Sequence, residues 1–303
     1  MPRIFVVDTP LDGGSRASER KDTAMNSGSV RDTNVISQAI WCDLQKIRAE
    51  APLVHNITNY VVMNATANAL LAVGASPVMA HAIEEVEEMV RHARALVLNI
   101  GTLSAAWVEA MVKAGQAARQ RGIPVVLDPV GSGATDYRTA TAQRLLEQVG
   151  PTIVRGNASE IRSLVRAGAG PKGVDSQHTP DEILGEAQSL SRQWHCAVSV
   201  SGPVDLVVAD GAVIRVANGH AMMTRVTGMG CTATAITGAF AAVNPSPLQA
   251  AAHAMAVMGL AGEIAVQRAQ GPGTFFPHFL DALHGLDESD IARGLRMESR
   301  DRS

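Results

Sequence analysis

Two short runs of apolar residues in the middle of the chain constrain the fold more than any other feature. They are Ala95–Leu98 and Val125–Leu127, and neither is interrupted by a polar residue. A strand with one face in water alternates apolar and polar residues, whereas a strand covered on both faces does not. Strands of the covered kind are typical of parallel sheets that carry helices on both sides. The two runs therefore predict a parallel sheet at the centre of an α/β fold.

Helical and strand patterns alternate along most of the chain and extend this prediction. The predicted strands are Pro52–Ile57, Pro77–Ala80, Ala95–Ile100, Pro124–Asp128, Pro151–Arg155, Ala197–Ser201, Asp205–Ala209 and Ala212–Val216. The predicted helices are Val35–Ala49, Tyr60–Val73, Ile83–Ala93, Ser104–Arg121, Thr139–Val149, Ala158–Ala167, Asp181–Trp194, Cys231–Val243 and Leu248–Gln270. Asp210-Gly211 between the last two strands favours a tight hairpin. We expect a three-layer α/β/α sandwich whose mostly parallel central sheet has an antiparallel edge hairpin.

The first part of the chain differs in composition from the rest. Residues 1–33 are rich in Asp, Arg, Ser, Gly and Thr and show no sustained hydrophobic period. Such a segment cannot bury enough apolar surface to fold, so we expect a disordered extension, and Met25 is an alternative start of the protein. After it there is no internal repeat and no linker. We expect residues 34–303 to form a single domain, with a Gly/Pro/Asp-bearing loop at residues 168–179.

Composition excludes several classes of function. The formal net charge of −3 gives no basic surface for nucleic acid. The three cysteines include no C-x-x-C pair, so the sequence predicts neither a zinc site nor a disulfide framework, and it favours a reducing cytoplasm. The apolar stretch 250–266 carries His253 and Glu263, so we expect no membrane segment.

A glycine-rich turn at residues 226–231, Val-Thr-Gly-Met-Gly-Cys, runs directly into a helix of small residues. Glycine lets the backbone approach a ligand closely, and the first amides of a helix point at whatever lies in the turn. Cys231 lies where this field favours a thiolate or a bound anion. Helix capping alone can also produce such a turn. The segment is a candidate phosphate site.

Polar residues follow several of the predicted strands. Ligands of open α/β sheets gather at the carboxyl ends of the strands. Asp128 and Glu160 are oxygen donors suited to Mg²⁺, and Arg155 can neutralise phosphate oxygens. Other interpretations stay open. A carboxylate such as Glu160 at a helix start is also stabilised by the helix dipole, and Arg155 could form a surface salt bridge. Ser201, followed by glycine, ends a further strand.

A second polar patch surrounds the segment His-Asn-Ile-Thr-Asn at residues 55–59. Asn59 follows a strand and is a candidate ligand-binding residue. Asn64 and Asn68 lie one turn apart on one helical face, which favours a subunit contact. Met79 is either a core residue or a soft wall for a flat apolar ring.

Seven segments together resemble the hydroxyethylthiazole kinase family, in order and over about residues 38–285. They are PLVHNITN at 52–59, GASPVMA at 74–80, LNIGTL at 98–103, LDPVG at 127–131, RGN at 155–157 with Glu160, VTGMGC at 226–231 and GPG at 271–273. The resemblance implies a ribokinase-like fold and a homotrimer with active sites at subunit interfaces. It also implies ATP-dependent phosphorylation of the hydroxyl of 4-methyl-5-(2-hydroxyethyl)thiazole, in thiamine salvage.

The same resemblance implies roles for particular residues. It puts Met79 and Gly228 at the thiazole, Arg155 and Ser201 at ATP, Asp128 and Glu160 on the Mg²⁺ side, and Cys231 at the reacting hydroxyl. Cys231 stands where related sugar kinases carry an Asp base. Because a thiol with a pKa of about 8.5 is a modest base, two roles stay open for Cys231, general base or pocket residue. Ser201 stands where Thr is familiar, and Arg225 where Lys is familiar.

Two other functions remain as alternatives. An ADP-dependent dehydratase acting on hydrated nicotinamide nucleotides shares the fold but carries Asp at the position of Cys231. A non-catalytic thiazole or nucleotide sensor could lose any of the residues Asp128, Arg155, Glu160 and Cys231, and this chain keeps all of them. A dinucleotide dehydrogenase is disfavoured because no G-x-G-x-x-G follows the first strand.

Overall fold

The computed structural model describes residues 25–169 and 180–300 of the chain. The strands in these ranges are β1 (Leu53–Ile57), β2 (Ser76–Val78), β3 (Ala95–Asn99), β4 (Val125–Asp128), β5 (Ile153–Asn157), β6 (Ala197–Ser201), β7 (Asp205–Ala209), β8 (Ala212–Val216) and β9 (Met297–Arg300). The α-helices are α1 (Met25–Glu50), α2 (Met63–Val73), α3 (Val86–His92), α4 (Ala105–Arg121), α5 (Asp136–Val149), α6 (Ala158–Ala169), α7 (Pro180–Trp194), α8 (Met229–Ala241), α9 (Pro247–Val266), α10 (Pro272–Gly285) and α11 (Glu288–Gly294).

All of these strands belong to one sheet, in the order β2-β1-β3-β4-β5-β6-β7-β8-β9. Neighbouring strands from β2 to β6 are parallel, and the pairings from β6 through β9 are antiparallel. The predicted parallel sheet with an antiparallel edge is confirmed. The edge extends one strand further than the predicted hairpin, because β9 pairs with β8.

Two apolar cores lie on opposite faces of the sheet, as the uninterrupted strands predict. In β3, Val97 belongs to the core under α1, α2 and α8–α11, whereas Leu96 and Leu98 belong to the core under α3–α7. Helix α8 lies very close to the sheet, since a Cβ at Gly238 would stand 2.7 Å from Val97 Cγ2. Small residues along α8 thus let its first turn reach the edge where the parallel strands end.

Two regions differ from the prediction. After residue 270 the structure adds α10, α11 and β9, which the sequence patterns did not predict. Helix α1 begins at Met25 rather than at Val35. Residues 1–24 and residues 170–179 of the predicted loop lie outside the described residues, so a disordered extension stays a prediction.

Helix α9 is long and apolar enough to cross a membrane by length and composition, and it is the only helix of that kind in the described ranges. Its apolar window is 78% buried inside the protein. It packs against α8 and α10 in the core on one face of the sheet. Burial in this core accounts for the apolar character of α9.

Candidate active site

The parallel strands bring several polar side chains to one edge of the sheet. Asn99 ends β3 and pairs in register with Asp128 at the end of β4. Asn59 follows β1, and the first turn of α8 carries Cys231 above the same edge. Because parallel strands all end on the same side, residues distant in sequence meet here.

A chain of hydrogen bonds joins these residues. Asn59 Nδ2 donates to Asn99 Oδ1 at 2.8 Å and to Cys231 Sγ at 3.4 Å. Asn99 Nδ2 in turn donates to Asp128 Oδ2 at 2.8 Å, and Thr234 Oγ1 donates to the same oxygen at 2.7 Å. A Cβ at Gly101 would stand 2.5 Å from Asn59 Nδ2, so glycine at this position leaves room for the network. The network fixes Asp128 and Cys231 relative to each other.

Asp128 is a buried carboxylate whose neighbours offset only part of the cost of burying its charge. Only 2% of the surface of Asp128 is exposed to solvent. Burial raises the pKa of Asp128 to about 6, and the charge of Glu160 acts in the same direction, against Arg155, Thr234 and Asn99. At neutral pH the group is ionised. An anion held in this way favours the approach of a cation.

Cys231 is half-buried in the first turn of α8. Burial raises the pKa of its thiol to about 11, and the charge of Asp128 adds to the rise, against the hydrogen bonds from Asn99 and Asn59 and the charge of Arg155. The helix N-terminus favours a thiolate, but burial outweighs it. At neutral pH Cys231 carries its proton.

The glycine-rich turn and Arg155 lie together. Gly228 precedes α8 with φ +84°, and a Cβ there would stand 2.8 Å from Val62 Cγ1. Arg155 Nη1 donates to the carbonyl of Gly230 at 3.0 Å, and Arg155 is 8% exposed. Arg155 therefore lies buried beside the N-terminus of α8, and the surface salt bridge considered from the sequence is not formed within the described ranges.

Glu160 joins two of the loops that follow the strands. Its Oε1 accepts from the amide of Gly131 at 3.0 Å, and its Oε2 accepts from the amide of Asn157 at 2.8 Å. Asn157 Oδ1 accepts from the amide of Glu160 at 3.0 Å. This reciprocal pair caps the start of α6. Glu160 thus orders the loops after β4 and β5.

Ser201 and Met79 lie at other positions along the same edge. Ser201 ends β6 opposite Asn157, and its hydroxyl donates to the carbonyl of Gly156 at 3.4 Å. Met79 follows β2 and is half-buried. His55 Nε2 donates to the carbonyl of Ala80 at 2.7 Å and fixes the segment that carries Met79.

Helix α2 presents a mixed polar and apolar face to solvent. Asn64, Asn68 and Leu71 follow one another at helical spacing, and Leu71 is 59% exposed. Asn68 Nδ2 donates to Asn64 Oδ1 at 3.1 Å. Tyr60 and Val61, just before α2, are also largely exposed. Large apolar side chains in such a group are typical of a contact surface.

Sequence reasoning did not identify Asn99 and Thr234 as site residues. Asn99 connects Asn59 to Asp128, and Thr234 supplies the second hydrogen bond to Asp128. The available signal was a polar residue at the end of an uninterrupted apolar strand, since a buried polar group needs a partner. No local pattern identifies that partner in advance.

The donor set of the edge fits a hydrated divalent cation. No group of three or more His, Cys, Asp or Glu side chains that could hold a metal occurs in residues 25–169 or 180–300. Mg²⁺ usually keeps several waters and takes one or two protein carboxylates in addition to phosphate oxygens. Asp128 and Glu160 match that requirement by type and number.

Known proteins similar to this chain include kinases. The model of the hydroxyethylthiazole kinase family matches residues 44–289. A hydroxyethylthiazole kinase of Syntrophus aciditrophicus is 57% identical over 258 residues, which are 85% of this chain and 96% of that protein. One of Nitratidesulfovibrio vulgaris is 54% identical over 261 residues, which are 86% of this chain and 98% of that protein.

Solved structures give the same result at the level of the fold. A structure of a hydroxyethylthiazole kinase protein from Pyrococcus horikoshii OT3 is 43% identical, with a TM-score of 0.82 over 87% of this chain and 100% of that one. A pyridoxal kinase from Staphylococcus aureus in complex with pyridoxal is 18% identical, with a TM-score of 0.53 over 70% of this chain and 87% of that one. The second likeness concerns the fold alone.

Proposed function

The chain belongs to the hydroxyethylthiazole kinase family, and from this premise we propose how its own residues carry the reaction of that family. The reaction is the transfer of a phosphoryl group from ATP to the hydroxyl of hydroxyethylthiazole, in thiamine salvage. The observation that carries the proposal is the hydrogen-bond network from Asn59 through Asn99 to Asp128, which meets Cys231 at the start of α8. The dehydratase and the sensor are not favoured.

The N-terminus of α8 receives the phosphoryl group in this proposal. Phosphoryl transfer depends mainly on positioning and on neutralising charge. The first amides of α8 have no helical partner and point toward the edge of the sheet, where they bind phosphate oxygens. Arg155, held at the carbonyl of Gly230, and the hydroxyl of Ser201 bind the ATP side.

Asp128 and Glu160 are the carboxylates that would hold Mg²⁺. The burial and raised pKa of Asp128 support this role, because a cation relieves the cost of its buried charge. When bound, Mg²⁺ would offset the negative charge of the phosphate oxygens. Glu160 keeps the loops after β4 and β5 in place through its two amide contacts, and each of its oxygens retains a lone pair.

Cys231 holds the substrate hydroxyl as a neutral pocket residue. The raised pKa of its thiol supports this role over that of general base, because the thiolate is scarce at neutral pH. Asn59 fixes the sulfur, while Met79 and Gly228 line the thiazole ring.

The face of α2 supports a homotrimer whose subunits share the substrate pocket. This face consists of Asn64, Asn68 and Leu71, with Tyr60 and Val61 beside it. Sedimentation of the purified protein tests the assembly. We expect a trimer for the wild type and a smaller species, with weakened thiazole binding, for Leu71→Asp. A fully active monomer at assay concentration would rule out a shared site.

The cytoplasm is the proposed compartment. Cys42, Cys196 and Cys231 are all free thiols, and the unpaired state is typical of a reducing environment.

A coupled assay of ADP release tests the function. With ATP, Mg²⁺ and hydroxyethylthiazole we expect sustained turnover, and mass spectrometry should identify thiazole monophosphate. Omission of the thiazole, or its replacement by a pyrimidine alcohol, should leave only background hydrolysis. Turnover that does not depend on the thiazole would refute the proposal.

A further inference from the structure

The turn between β6 and β7 carries an acidic residue with no role in the reaction as described so far. β6 ends at Ser201 and the antiparallel β7 begins at Asp205, so the turn between them lies at the edge of the sheet that holds the site. Asp205 Oδ1 accepts from the amide of Gly202 at 3.0 Å. The turn is tight, because a Cβ at Gly202 would stand 3.3 Å from the carbonyl oxygen of Val204. The carboxylate therefore closes the turn that fixes Ser201.

Asp205 also lies within electrostatic reach of Arg155. Burial raises the pKa of Asp205, and the amide of Gly202 and the charge of Arg155 act against the rise. No direct ion pair joins the two side chains within the described ranges. Arg155 lies opposite Ser199, and Ser199 lies opposite Val207, two residues after Asp205. Arg155 and Asp205 therefore lie on the same face of the sheet, and the guanidinium can bind another anion.

The side chain of Arg155 makes few hydrogen bonds to the groups around it. Its Nη1 donates to the carbonyl of Gly230, but its buried Nε has no hydrogen-bond partner in the described part of the chain. Ser199 lies opposite Arg155 across β5 and β6, and its buried hydroxyl also lacks a partner there. Hydrogen bonds from the sheet therefore do not fix the orientation of Arg155, and the carboxylates of Asp128 and Asp205 both act on its charge.

We propose that Asp205 is a positioning residue for the nucleotide, which closes the turn that presents Ser201 and orients the guanidinium of Arg155 toward the phosphates of ATP. This role rests on the proposed function, since it assigns a further residue to the same nucleotide site. The carboxylate acts through Ser201 and Arg155 and does not itself touch the reacting atoms. Its removal should therefore affect the use of ATP far more than the use of the thiazole.

The test compares steady-state kinetics of the wild type with Asp205→Ala, Asp205→Asn and Asp210→Asn. Ala removes both the acceptor and the charge, and we expect the KM for ATP to rise about tenfold, the loss typical of a charged hydrogen bond, with the KM for thiazole within twofold. Asn keeps an oxygen for the amide of Gly202, so the KM for ATP should stay within about threefold but above the wild-type value. Asp210 is exposed at the other end of β7, and Asp210→Asn should change neither constant.

Two results with Asp205→Ala would overturn the role of Asp205. One is a KM for ATP in Asp205→Ala within twofold of the wild type, and the other is an equal rise of both KM values, which would indicate a general loss of structure. If Asp205→Ala does not fold, Asp205→Asn decides, and an unchanged KM for ATP in that variant would refute the proposal. A wild-type protein without thiazole-dependent turnover would refute the proposed function instead.

Discussion

Two buried aspartates of this protein have nearly the same hydrogen bonds and opposite electrostatics. Asp128, at the open edge of the sheet, accepts two side-chain hydrogen bonds on Oδ2, at 2.7 and 2.8 Å. Asp43 in α1 also accepts two on Oδ2, from Asn244 at 2.6 Å and from His253 at 2.7 Å. The exposed fractions of the two residues are 2% and 4%. Hydrogen-bond count and exposed surface do not distinguish them.

The depth of burial and the surrounding groups do distinguish the two aspartates. Burial acts to raise the pKa of Asp43, but the hydrogen bonds from His253 and Asn244 and the charge of Lys46 outweigh it, so the pKa is lowered. At Asp128 burial prevails, and the pKa rises to about 6. At Asp128 the charge of Arg155 and two hydrogen bonds offset only part of the cost of burial, which leaves this carboxylate able to receive a cation, whereas the partners of Asp43 offset the whole cost.

The largest effect expected from this difference is on catalysis. Asp128→Asn keeps an oxygen that accepts from Asn99 and Thr234 but removes the charge. We expect kcat to fall about 10²- to 10³-fold, the scale of losing one electrostatic stabiliser, while the melting temperature does not fall. Steady-state kinetics and calorimetry measure both. A kcat within threefold of the wild type would exclude Asp128 from the site.

The reverse result is expected at Asp43. Asp43→Ala leaves His253 and Asn244 without their acceptor, and we expect the free energy of unfolding to fall by about 3 kcal/mol, with kcat unchanged in the folded enzyme. Denaturant titration measures the loss. The matched control is Asp281→Ala, because Asp281 lies 3.7 Å from His278 in an exposed pair, and it should change stability by less than about 0.5 kcal/mol. Equal losses in the two variants would contradict the account.

A smaller effect is expected at Cys231, which lies beside Asp128 in the open network. Because the pKa of its thiol is raised to about 11, a thiolate base would make the rate rise tenfold per pH unit throughout the range from 7.5 to 9.5. We expect kcat to be flat in this range and Cys231→Ser to retain activity within about tenfold. A steep alkaline rise in the wild type that disappears in Cys231→Ser would identify the thiol as the base.

The sequence predicted those parts of the molecule whose patterns are local. The uninterrupted runs in β3 and β4 and the Asp210-Gly211 turn indicated the sheet and its edge. Helix α10 was missed because Gly273 and Pro277 interrupt its pattern, although Phe275 and Phe279 bury it in the core. β9 was missed because its polar sequence, Met-Glu-Ser-Arg, gives no strand signal.

In the candidate site, too, the residues with a local sequence pattern were predicted and the others were not. Asp128, Arg155 and Cys231 were selected from the sequence because each stands at the end of a predicted strand or the start of a predicted helix, and their roles stay predictions. Asn99 was missed as a connecting residue, since its partners Asn59 and Asp128 are 40 and 29 positions away in the sequence. Likewise, no pattern near Asp43 predicts its contact with His253, 210 positions further along the chain. Contacts of this kind depend on the register of the whole sheet and on how the helices that cover it pack together.

The most direct test of the difference between the two aspartates is the free energy of unfolding of Asp128→Asn and Asp43→Asn, relative to the wild type, from pH 4 to pH 8. The pKa of Asp128 rises from an ordinary 3.8 to about 6 on folding, so its ionised form lowers stability above pH 6 and less so as the pH falls toward 4. Asp128→Asn should therefore be more stable than the wild type by about 3 kcal/mol at pH 8, with the advantage shrinking toward pH 4. The lowered pKa of Asp43 contributes stability that is lost only below an ordinary 3.8, so Asp43→Asn should be less stable by a nearly constant amount from pH 5 to pH 8. Stability changes of the same sign in both variants at pH 8 would contradict the account.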